Sequence, residues 1–133
     1  MKRPSSVAVS GVTELAAGAA SGWVYTLVRT QPELAKRLGI KAPARIRQWH
    51  LDLAMLGTAT IAADLAVPDA PKLVRRSLAV GAWTNAMAFL PLAFKPDLDE
   101  HPAFGAAAAA SFTATTIGFV GMARTAHRRR RAG

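Results

Sequence analysis

The chain contains no cysteine in 133 residues, which excludes disulfides and thiolate metal sites and leaves the redox compartment unreadable. Acidic residues are scarce, 8 against 17 Lys and Arg, and only 7% of the residues are aromatic. Ser- or Gly-rich linkers are missing, and the length leaves room for a single domain without a second core. No internal repeat or coiled-coil heptad is present, and neither HxxxH nor HExxH spacing occurs, which removes the common zinc arrangements. A signal peptide is a poor reading of the N-terminus, because the apolar run from Val7 is interrupted by Glu14 and continues too far.

What is present is a net charge of +9, which in a soluble protein points first to nucleic acid. Its distribution argues otherwise. Basic residues cluster at Lys2/Arg3, from Arg29 to Arg47, at Lys72/Arg75/Arg76, and at Arg124 with Arg128 to Arg131, separated by long segments with few or no charges. That is the pattern of a membrane protein with basic residues at the ends of its spans, so lipids and not nucleic acid are the expected partners. A helix needs roughly 20 mainly apolar residues to cross the ~30 Å hydrocarbon layer. Helices are expected over about 7–28, 49–67, 73–94 and 103–124, followed by a short basic tail, 125–133. The expected fold is all-α, an integral membrane four-helix bundle of a bacterial inner membrane. The third and fourth segments contain the uncharged stretches 77–94 and 103–123, whereas the first carries Glu14 and the second Asp52 and Asp64.

Prolines punctuate the chain. Pro68 and Pro71 bracket one turn, Pro96 and Pro102 another, and Pro91 is expected to kink the third helix or end it early. A short surface helix is expected around 32–38. Lys and Arg number 2 at the N-terminus, 3 in the second connection and 5 from Arg124 onward, against 6 and 1 in the other two connections. Ten against seven favours both termini inside.

Polar residues within these segments are where chemistry is sought. Gly11, Gly18 and Gly22 share one helical face at ~100° per residue, joined by Glu14 and Tyr25, and Gly18 to Gly22 is a GxxxG pattern. Glu14 is either satisfied by a neighbouring helix or lines a polar pocket. His50, Gly57 and Asp64 recur every seven residues along one face, while Asp52 points about 200° from His50. Neither Asp can pair closely with the imidazole on the same helix, so a site must be completed by other helices or another subunit. One histidine can hold a haem iron but not zinc, and the alternative is an interfacial hydrogen-bonding role. Arg45 and Arg47 could meet haem propionates or anchor the helix at headgroups. Asn85, in mid-span, either clamps two helices or holds a substrate heteroatom. The terminal HRRRR reads as an anchor to anionic lipid.

Taken together, Arg45-Ile-Arg-Gln-Trp-His50, Gly57, and Gly81-Ala-Trp83-Thr-Asn85, in four-helix order, resemble the styrene oxide isomerase family, with hydroxylaminobenzene mutases as a related group. The resemblance implies a membrane homotrimer binding haem b between subunits, with His50 as axial ligand. It also implies ferric iron acting as a Lewis acid that converts a lipophilic epoxide to a carbonyl compound. Asn85 then takes the catalytic position, Trp83 lines the cofactor pocket, and Arg45 or Arg47 meets a propionate. Leu56 and Phe89 stand in the substrate pocket where the family has Asn and Tyr, and Asp52 replaces a usual Gly. Those departures remove hydrogen-bonding groups near the expected substrate. Three other readings are open: a hydroxylaminobenzene-mutase-like isomerase, a non-catalytic membrane subunit or scaffold with Asn85, Asp64 and Glu14 as clamps, and a proton or ion pathway through Glu14, Asp52 and Asp64.

Overall fold

A computed structural model of the chain describes residues 3–133, and among these every regular element is helical. They are α1 (Ser6–Thr30), α2 (Pro32–Arg37), α3 (Pro43–Ala66), α4 (Lys72–Met87), α5 (Phe89–Phe94), a 3-10 turn (Pro96–Glu100) and α6 (Pro102–Ala132). Three helices are long and apolar enough to cross a membrane: α1, the run Lys72–Phe94 made by α4 and α5, and α6. With 24 residues α3 is also long enough, but Arg45, Arg47, His50, Asp52 and Asp64 leave it too polar to join them on composition.

Several boundaries differ from the apolar windows, for identifiable reasons. Pro43 sits in the first turn of α3, where its missing N–H costs nothing. The helix therefore starts before the apolar stretch does, and Arg45 and Arg47 lie within it. Residues 125–132, which include Arg128 to Arg131, continue α6 instead of forming a separate tail, in line with the attraction of cations to a helix C-terminus. The third helix breaks at Ala88, three residues before Pro91. Proline has no N–H to bond the carbonyl four residues back and its ring crowds that turn, which accounts for the break. The short helix α2 appears where expected, closed by Gly39 at φ +90°.

The long helices pair antiparallel, α1 with α3, α3 with α4, and α4 with α6. Further contacts join α1 to α4 and α3 to α6, whereas α1 and α6 do not meet among the described residues. The centre is thus held by α3 and α4, with α1 and α6 on opposite flanks. Glycines permit the two outer pairings. A Cβ on Gly57 would lie 2.7 Å from the Leu15 amide nitrogen, and one on Gly118 would lie 2.5 Å from Leu78 Cα. Between α3 and α4, Leu53 and Leu56 pack against Ala82 and Ala86.

Asp64 ties one end together. It accepts from Arg75 of α4 at 2.7 Å and 3.0 Å, and from the hydroxyl of Ser5, whose oxygen also caps α1 by accepting from the Ala8 amide at 2.9 Å. Nearby in the chain, Asp69 accepts from Arg129 of α6, and that bond holds its carboxyl below the usual carboxylate range. At the other end the amides of Lys41 and Ala42 donate to the Ala93 carbonyl, docking the α2–α3 connection on α5.

Candidate functional site

The interval-seven stripe of α3 faces α1 along its whole length. Asp64 meets Ser5, Gly57 meets Gly11 and Leu15, and His50 meets Gly18, Ser21 and Gly22. Because the two helices run antiparallel, a seven-residue repeat on one tracks small residues on the other. Gly22 lies beneath the imidazole, where a Cβ would sit 3.2 Å from His50 Cε1.

His50 is half-buried, and its hydrogen bonds decide its chemistry. Nδ1 lies 2.9 Å from the Gly18 carbonyl and 3.0 Å from Ser21 Oγ, while the Ser21 hydroxyl donates to that same carbonyl at 2.7 Å. A carbonyl only accepts, so Nδ1 carries the hydrogen in the neutral ring and Nε2 keeps its lone pair. Nε2 has no hydrogen-bond partner among the described residues. Tyr25 stacks on the imidazole with centroids 5.6 Å apart and planes 21° off parallel, and Arg29 lies over the Tyr25 ring at 5.9 Å.

The other expected site residues are dispersed. Arg45 reaches Gln48 at 3.0 Å and Asp99 at 3.5 Å, with its guanidinium 5.9 Å from the Phe89 ring centre. Arg47 is exposed, with no ion pair among the described residues. Trp83 donates to Ser10 of α1 at 3.0 Å, linking α4 across to α1. Leu56 belongs to the α3/α4 core, and Asn85 is half-buried without a side-chain hydrogen bond among the described residues. Neither His50 nor any of these six residues lines the apolar cleft of about 510 Å³ between α4 and α6. His50 hydrogen-bonds Gly18 and Ser21 and stacks on Tyr25, and Asn85, Leu56 and Phe89 take no part in those interactions.

Glu14 is fully buried, and neither of its carboxyl oxygens has a partner among the described residues. The expected satisfaction by a neighbouring helix is not found among the described residues. Thr60, also fully buried, has a hydroxyl in the same condition. Asp64 is a structural clamp, as described above, and Asp52 is half-buried away from the His50 face.

Ser21 and Arg29 were not marked by sequence reasoning. Ser21 lies one residue before a glycine of the GxxxG pattern, and Arg29 follows Tyr25 by one turn; both offsets were legible. No family model, curated protein or solved structure matches the chain. Among the described residues no group of three or more His, Asp or Glu could hold a bare metal ion.

Proposed function

We propose that the protein is a membrane-embedded, haem-b-binding isomerase resembling the styrene oxide isomerases, with His50 as the axial ligand. The observation that carries this reading is the Nδ1 bond to the Gly18 carbonyl. A metal-ligating histidine characteristically donates its second nitrogen to a carbonyl or carboxylate, which fixes the ring and raises ligand basicity. Here that bond leaves Nε2 for iron. The residues therefore fit the group.

In this reading α3 crosses the bilayer with α1, α4–α5 and α6. Its polar stripe is sheltered by α1 at His50, Gly57 and Asp64. Arg47 is available to a propionate, and Arg29 stands at the same end of α1 as Tyr25. Asn85, whose amide is uncommitted, would orient a substrate oxygen once a neighbouring subunit of the proposed homotrimer completes the site. Haem held by His50 would supply Lewis-acid chemistry toward a lipophilic epoxide.

The test is turnover of an aryl epoxide by haem-loaded protein in bilayers, with the aldehyde measured. Product formed by the wild type and lost in His50→Ala supports the isomerase. Haem bound without product from a panel of aryl and alkyl epoxides removes the isomerase reading while leaving haem binding intact.

A second reading, a non-catalytic membrane subunit, is favoured by Asp64, which joins α1, α3 and α4 through Ser5 and Arg75. It requires Asn85 to be an interhelical clamp. Asn85→Ala that leaves subunit assembly and melting temperature unchanged counts against it.

A further inference from the structure

The cleft between α4 and α6 has hydrocarbon walls and a short polar seam. Val80, Met87, Phe104 and Ala108 line it, and Thr84 and Ser111 meet within it. Its volume of about 510 Å³ falls inside the range of pockets that hold small organic molecules.

The seam can be read hydrogen by hydrogen. Thr84 Oγ1 donates to the Val80 carbonyl at 2.8 Å, and Ser111 Oγ lies 2.7 Å from Thr84 Oγ1. A hydroxyl has one hydrogen, so with that of Thr84 committed to Val80, Ser111 gives its own to Thr84. What remains on the pair is lone pairs only. Ser111 is 7% exposed, so bulk solvent reaches it poorly. Each hydroxyl is thus bonded, and the pair can accept one more hydrogen bond from a donor that enters the cleft.

We propose that this cleft is a second ligand site, separate from His50. It takes a lipophilic aromatic molecule bearing a hydroxyl, of about naphthol size, drawn from the bilayer. The hydroxyl donates to the Thr84–Ser111 pair, and the ring lies against Phe104 and Met87, side chains suited to aromatic stacking and sulfur contact. An acyl chain fills the volume but leaves the acceptors unmatched. The site stands independently of haem binding.

The experiment uses the full chain in lipid nanodiscs and a diazirine-bearing 1-naphthol, with labelled residues mapped by mass spectrometry. Labelling is expected within 80–88 and 104–114. It should be competed about three- to tenfold better by 1-naphthol than by 1-methoxynaphthalene, the span set by one hydrogen bond. Thr84→Val preserves shape while releasing the Ser111 hydrogen, so that preference should vanish. Ala108→Phe should abolish labelling at unchanged helicity and elution volume. Equal competition by the two naphthalenes in the wild type overturns the proposal in favour of a lipid chain. A changed elution volume in Ala108→Phe overturns it in favour of a second copy of the chain. Should Ala108→Phe fail to fold, the Thr84→Val comparison still decides.

Discussion

The two outer helix pairs use the same backbone device for different ends. Both α1/α3 and α4/α6 bring glycines against opposing backbone, with added Cβ atoms meeting neighbours at 2.5–2.9 Å. Yet α1/α3 encloses Glu14, His50, Ser21 and Thr60, whereas α4/α6 encloses hydroxyls bonded to each other and to carbonyls. Glycine packing sets how closely helices approach. The polar side chains placed beside the glycines decide what the contact can do. Ionisable chemistry is confined to the first pair, and the second is left as an apolar cleft.

That contrast can be broken most forcefully at the clamp closing the α1/α3 side. Arg75→Ala leaves Asp64, only 3% exposed, as a buried carboxylate with Ser5 alone. Breaking a buried pair from one side costs about 3–5 kcal/mol, so chemical or thermal unfolding in detergent should show a loss of that order. Gly57→Ala and Gly118→Ala should each cost about 1–3 kcal/mol by overpacking. Only Gly57→Ala should also disturb the environment of His50. Equal effects of the two on a His50 spectroscopic signal would dissolve the distinction between the pairs.

Glu14 sharpens the comparison in the opposite direction. An unpartnered buried polar group is a liability of about 1–3 kcal/mol, so Glu14→Leu should raise the melting temperature of the isolated subunit. If another subunit supplies the partner, the same change should instead weaken the oligomer, measured by native mass spectrometry. The smallest effect is expected at the Asp69–Arg129 pair. Asp69 has its folded-state carboxyl lowered by that hydrogen bond, so its contribution is present above the ordinary carboxylate range. It is lost as pH falls through the lowered folded value. Arg129→Gln should remove that slight acid sensitivity and leave neutral-pH melting nearly unchanged, since the pair is exposed.

Much of the architecture was legible because it is local. Long apolar runs marked the three helices able to cross a membrane, two of them through uncharged stretches, prolines marked the breaks, and the seven-residue spacing of His50, Gly57 and Asp64 identified a face that meets α1. The start of α3 was missed because hydropathy registers apolar residues, while Pro43 starts a helix by geometry. The bonds from Asp64 to Ser5 and Arg75 depend on which helix ends meet, information that no local pattern holds. The His50 site was half legible. Gly18, Gly22 and Tyr25 were placed on one face, but the Gly18 carbonyl as partner of Nδ1 follows only from antiparallel register.

The most direct test of His50 as a haem ligand is the absorption spectrum of detergent-purified protein after haem supplementation and removal of excess haem. The expected result is a Soret band retained in His101→Ala and His127→Ala and lost in His50→Ala. A wild type without a band, or one that His50→Ala leaves unchanged, contradicts it.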